Sequence, residues 1–249
     1  MADRTLLITG ASSGIGAATA RMAAAPGVTL LLHYGSNRAG AEAVAAELRG
    51  KGATAHLLQC DFARPEGIEA MFARAAPLAD PSLPLHLVNN AGIVDSTASI
   101  AEMTPERLTR MFTVNITSAI LAARGAVALM RRGTAGGAIV NISSAAARLG
   151  SGNQFLDYAA SKGAIDTFTL GLADELAPEG IRVNAVRPGL IDTDIHAKGG
   201  EPDRAARLAP NVPLRRTGRA DEIAEAILWL LSDRASYVTR SILDVTGGR

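Results

Sequence analysis

Short apolar runs alternate along the chain with longer segments whose apolar residues recur at helical spacing. Leu6-Leu7-Ile8 reads as a first strand, and residues 16–25 as a helix stopped by Pro26-Gly27. Residues 28–33 follow as a second strand, then a helix over 39–48 ends near Gly50-Lys51-Gly52. Residues 53–60, 85–88, 138–142, 181–186 and 241–245 continue the strands. Between them helices are expected at 66–75, 105–130, 158–177 and 220–231. Thr104 before Pro105 is a cap followed by a proline at the first helical position, where its missing N–H is harmless. This alternation predicts an α/β fold, a doubly wound parallel sheet with helices on both faces. Residues 193–217 break the pattern. With Gly199, Gly200, Pro202, Pro210 and Pro213 they read as an irregular lid or binding loop, and His196 as a solvated loop histidine.

Composition narrows the picture. A chain of 249 residues that is 48% hydrophobic suits one large domain over 1–249 better than two small ones. A formal net charge of +1 offers no electrostatic case for nucleic acid or an anionic membrane. Single Cys60 excludes an internal disulfide, and four scattered histidines suggest no metal site. The opening Met1-Ala2-Asp3-Arg4-Thr5 lacks a basic n-region, and no apolar run reaches the roughly 18 residues a bilayer needs, so a cytoplasmic protein is expected.

The first strand-to-helix turn is Thr9-Gly10-Ala11-Ser12-Ser13-Gly14-Ile15-Gly16, with glycines in a G-x-x-x-G-x-G pattern. Glycine lets backbone turn sharply and approach a pyrophosphate, while the helix N-terminus offers free N–H groups and positive dipole. A plain turn can use glycines too, but this one sits where a dinucleotide site requires it. An NAD site usually has Asp or Glu about 20 residues on, at the end of the second strand. No acid occurs between Asp3 and Glu42, and that position holds His33-Tyr34-Gly35-Ser36-Asn37-Arg38. Tyr34, Ser36, Asn37 and Arg38 would then meet the adenosine ribose and a 2′-phosphate, so NADP(H) is preferred and NAD(H) kept as possible.

Tyr158-Ala159-Ala160-Ser161-Lys162 sets a tyrosine one helical turn before a lysine, on the same face. A phenol titrating near 10 is a poor acid or base at neutral pH, and an adjacent ammonium is expected to lower its pKa. The chemistry suggested is proton transfer to or from a carbonyl or alcohol oxygen.

Together with Asn89-Asn90-Ala91-Gly92, Asn115, Ser143-Ser144 and Pro188-Gly189, these motifs resemble the short-chain dehydrogenase/reductase family over nearly the whole length. Bacterial glucose-dehydrogenase-like and 3-oxoacyl-carrier-protein-reductase-like members are the most similar in look. The resemblance implies one Rossmann-type domain with a seven-stranded parallel sheet, a homotetramer, and hydride transfer between NAD(P) and a small carbonyl/alcohol substrate. It places a catalytic tetrad on Asn115, Ser144, Tyr158 and Lys162, with Ser143 a competitor for Ser144. Asn115 would hold a helix kink and a proton-relaying water, and Lys162 the nicotinamide ribose. Phosphates would fall on Gly10, Ser12, Ser13, Gly14, Ile15 and Gly16, the adenine beside Asp61 and Phe62. Asn90, Ala91 and Gly92 would line the ribose, and Pro188, Gly189, Ile191 and Thr193 the nicotinamide. The basic residue common in NADP-type glycine turns is absent, Ser13 standing there, and the interval from Ser144 to Tyr158 is one residue longer than usual. Arg148, Gln154, Asp157 and Leu190 are expected to line the substrate. The alternatives are an NAD-dependent alcohol or sugar dehydrogenase and a silent NADP(H)-sensing protein on the same fold.

Overall fold

The structure, a computed structural model, describes residues 3–193, 200–201 and 203–249; His196, Gly199 and Pro202 of the expected lid lie outside them. Strand β1 (Arg4–Ile8) leads to α1 (Gly14–Ala23), β2 (Val28–Tyr34), α2 (Arg38–Gly50) and β3 (Thr54–Gln59). Helix α3 (Ile68–Ala75) and β4 (Leu85–Asn89) follow, then α4 (Pro105–Phe112), a π turn (Thr113–Thr117) and α5 (Ser118–Met130). Next come β5 (Gly137–Ile142), the short α6 (Ala146–Leu149), α7 (Leu156–Leu176) and β6 (Ile181–Pro188). The short α8 (Arg204–Leu208), α9 (Ala220–Leu231) and β7 (Ile242–Val245) end the series.

All seven strands are parallel, in the order β3-β2-β1-β4-β5-β6-β7. Helices cover both faces, so strands carry continuous apolar runs instead of alternating ones. Leu6 and Ile8 of β1 face one core with Ala17, Val44 and Ile227, while Leu7 between them faces the other with Met71, Ala126 and Leu176. Each fully buried leucine of this kind contributes about 2 kcal/mol. The winding reverses between β1 and β4, and their C-terminal ends open a crevice, the usual ligand position in such sheets.

Three expectations need correcting. The helix foreseen over 105–130 is two helices joined by the π turn that carries Asn115. A tertiary demand overrides the regular ladder there: the Asn115 amide reaches both the N–H and the carbonyl of Ile93. The same stretch, Pro105–Met130, is long and apolar enough by composition to cross a membrane, contrary to the sequence reading. Its small residues Ala122, Ala123 and Ala126 are instead fully buried against the sheet. The loop over 193–217 contains α8, whose Ala205 and Leu208, three apart, pack with Leu190 and Val212.

Candidate active site

The turn after β1 is shaped by its glycines. Gly10 and Gly14 have φ of +67° and +55°, a region that side chains disfavour. A Cβ on Gly16 would lie 2.4 Å from the Gly10 carbonyl oxygen, so the third glycine lets α1 seat on the turn. Thr9 Oγ1 accepts the N–H groups of Asn90 and Ala91 at 2.8 and 2.9 Å. Asn90 Nδ2 donates to the Thr9 and Gly10 carbonyls at 2.9 and 3.2 Å, tying the ends of β1 and β4 together. Beneath the turn, buried His33 accepts the Gly10 N–H at Nδ1 (3.1 Å) and donates from Nε2 to the Cys60 carbonyl (2.9 Å). Its ring stacks on Phe62 at 4.1 Å. Burial holds its pKa down at about 4, so it stays neutral with the proton on Nε2. The Ser13 side chain makes no cap bond, so among the described residues the first-turn N–H groups of α1 are left without a side-chain acceptor.

A cavity of about 540 Å³ runs from this turn across the strand ends. Its wall brings together Gly10, Ser12, Ser13, Gly14, Ile15, Ser36, Asn90, Ala91, Gly92, Ser144, Tyr158, Lys162, Pro188, Gly189, Ile191 and Thr193. Uncapped helix N–H groups and glycine backbone at one end suit a dinucleotide pyrophosphate.

The other expected residues stand behind or beside the wall. Gly16 packs the turn, and Tyr34 is buried. Asn37 caps α2 by accepting the Gly40 N–H at 3.1 Å, and exposed Arg38 pairs with Glu42 at 2.7 Å. Asp61 accepts the Ala63 N–H at 2.9 Å, and Phe62 is committed to His33. Of the expected substrate residues only Leu190 lines the cavity. Arg148 bonds the Arg249 carbonyl, Gln154 binds Arg204, and Asp157 is turned into the protein. Sequence reading missed Thr9, His33 and the cavity-lining Phe155, Arg204 and Arg249; a buried histidine and a strand-end threonine carry no local signal of what they bond.

At the opposite end, Tyr158 and Ser144 stand together in the cavity wall, with the Ser144 hydroxyl close enough to ease the phenol's pKa. Ser143 is buried and donates to the Lys162 carbonyl at 3.2 Å, which separates the two serines. Lys162 Nζ donates to the Ile142 carbonyl at 2.7 Å and lies 5.7 Å from the Tyr158 ring centroid. Asn115 lies outside the wall: its Oδ1 accepts the Ile93 N–H at 2.8 Å, and its Nδ2 donates to Ser161 Oγ at 3.1 Å. It clamps the irregular segment after β4 to α7, and a Cβ on Gly92 would stand only 3.2 Å from its Oδ1.

One electrostatic expectation is reversed. Burial pushes the Tyr158 phenol above its ordinary pKa, opposed by the nearby Ser144 hydroxyl. Burial also lowers Lys162 to about 8, against Asp166. With the ammonium beside the ring, desolvation of the phenolate outweighs the attraction.

Asp157 anchors this end of α7. Its side chain is inaccessible, Oδ2 accepting Arg107 Nε at 2.7 Å and Oδ1 accepting both Arg107 Nη2 (3.3 Å) and the Tyr158 N–H (2.9 Å). Removing one partner of a buried pair strands the other charge. Asp157→Asn is expected to lower unfolding free energy by about 3 kcal/mol in urea titration; a loss under about 1 kcal/mol would contradict this account.

The comparisons agree with this geometry. Residues 10–249 match the family model described as enoyl-(acyl carrier protein) reductase. An uncharacterized oxidoreductase of Escherichia coli (strain K12) is 47% identical over 245 residues, 98% of each chain. A short-chain type dehydrogenase/reductase from Mycobacterium marinum superposes with a TM-score of 0.90 at 32% identity, covering 99% of this chain and 95% of the other. A 3-oxoacyl-[acyl-carrier protein] reductase with bound NAD from Brucella melitensis gives 0.87 at 34% identity, over 99% and 91%. With the glycine turn, the strand order and the paired tyrosine and lysine in place, the chain belongs to the short-chain dehydrogenase/reductase family and is an NAD(P)-dependent oxidoreductase.

Proposed function

We propose that the protein moves hydride between NADP(H) and a small carbonyl/alcohol pair, with Tyr158 as proton donor and acceptor. The observation that carries this is the one cavity joining the uncapped glycine turn to Ser144 and Tyr158 beside Lys162. The nicotinamide, when bound, supplies or takes the hydride. In reduction, Tyr158 Oη gives its proton to the substrate oxygen. Because burial keeps the phenol protonated, the resting side chain is the acid that reduction needs. The Ser144 hydroxyl holds the same oxygen and stabilises charge developing on it. Lys162, fixed at one N–H by Ile142, keeps others for the ribose hydroxyls and for the phenolate left after transfer. Asn115 positions this group by clamping residue 93 to α7.

The preference for NADP(H) is supported by Ser36 in the wall and by the missing acid at the end of β2. Arg38 already pairs with Glu42, but at an exposed, solvent-screened i,i+4 site that a 2′-phosphate displaces easily. Steady-state kinetics should give a kcat/KM for NADPH about tenfold or more above that for NADH. The reverse order would favour the NAD-dependent reading, which the NAD-bound neighbour makes the specific alternative. A homotetramer in the cytoplasm belongs to the same proposal.

A further inference from the structure

The cavity wall carries Lys162, Arg110, Arg204 and Arg249, and its described residues include no Asp or Glu. Arg110 faces Asp95 at 3.5 Å, and Lys162 is held by Ile142. Arg204 is different. Its guanidinium lies 4.7 Å over the Phe155 ring, and Nη1 donates to Gln154 Oε1 at 3.1 Å. Among the described residues, no carboxylate lies within ion-pair distance of Arg204 or of Arg249. Partial burial and the neighbouring Arg249 cation both hold Arg204 below its ordinary pKa, with Glu201 opposing. Two like charges therefore share a stretch of wall whose described residues include no Asp or Glu, and one of them is oriented by an aromatic face and an amide. A guanidinium fixed this way presents a planar fork that matches carboxylate or phosphate oxygens.

We propose that Arg204, with Arg249 beside it, binds an anionic group of the substrate, making this an oxidoreductase of small oxo acids or phosphorylated carbonyl compounds and of their hydroxy counterparts. The inference rests on the hydride-transfer reading above. Phe155, under Arg204, lies three residues before Tyr158 at the start of α7, about one helical turn away. The anion site and the proton donor thus flank the same end of α7 in one cavity wall. The cofactor pyrophosphate belongs to the glycine turn, leaving these arginines for the substrate.

Matched pairs test the assignment. The protein with NADPH is given 4-oxopentanoate and its methyl ester, succinic semialdehyde and butanal, and glyceraldehyde 3-phosphate and glyceraldehyde, beside a panel of neutral ketones and sugars. The charged member of a pair should show kcat/KM at least about tenfold above its neutral partner, and the pair that responds tells carboxylate from phosphate. In Arg204→Gln that ratio should fall to near one, and in Arg204→Lys, which keeps charge without the fork, to an intermediate value. Equal or better turnover of neutral compounds overturns the inference alone, as does a ratio that survives Arg204→Gln. No turnover of any compound overturns the hydride-transfer reading and the inference with it.

Discussion

Tyr158→Phe is expected to lower kcat by about 10³-fold, the scale of losing a positioned general acid. Only the hydroxyl is removed. The ring stays beside Lys162, and Ser144 keeps its bond to the Ala146 N–H at 3.1 Å. The glycine turn lies at the far end of the cavity, so NADPH affinity by fluorescence titration should stay within about threefold, less than 1 kcal/mol. A variant retaining more than about a tenth of wild-type kcat would remove Tyr158 from the proton-transfer role. The phenol's raised pKa adds a direction: in a reductive assay its protonated form persists through neutral pH, so the fall at high pH should begin with Lys162, near 8.

Mild acid should destabilise the protein, and two desolvated histidines are a main cause, His33 buried and His86 half-buried. His33 and His86 are both held at about 4 by burial, from an ordinary 6.5. Arg4 and Arg182 push His86 the same way, and Asp233 opposes them. The unfolded chain binds these protons below 6.5 while the folded one does not, so stability falls with pH through that window and stops falling near 4. At pH 4.5 each histidine costs about 2.5 kcal/mol, together about 5. For a chain of this size that is a drop in Tm of about 10–20 °C between pH 7.5 and 4.5. His86 Nδ1 has no hydrogen-bond partner, so His86→Leu should remove about half of the slope without leaving an unmet group. A flat Tm profile over that range would refute the assignment. Protonating His33 also puts a proton on Nδ1 where it accepts the Gly10 N–H, so cofactor affinity of the folded protein should hold through mild acid and decline only as the pH approaches about 4.

The sheet and most helices were legible because both-face burial writes continuous apolar runs, and the strands β1 to β6 lie within a residue or two of those runs. Gly10, Ser144, Tyr158 and Lys162 were legible because their chemistry depends on local spacing. What escaped depended on distant partners. The resemblance placed a helix kink at Asn115, where the π turn lies, but nothing near it in sequence announces Ile93 and Ser161, so the clamp was not visible. Asp157 looked like a substrate residue until Arg107, fifty positions away, claimed it. The Tyr158 pKa failed for a related reason: spacing shows the neighbouring charge but not the burial that opposes it.

The sheet order also governs how the chain can be assembled. Central strand β1 pairs with β2 through local sequence, but its other edge waits for β4, with Thr5 opposite Leu85. A nascent chain that has emerged only through β3 therefore displays β1 with one row of backbone groups unpaired beside the apolar run Leu6-Leu7-Ile8. Such an edge is a template for association with other chains. Closing it requires long-range parallel pairing, the slow class of folding step. The arrival of β4 thus marks the moment in synthesis when the cofactor half of the molecule stops being sticky, and when Thr9 first meets Asn90.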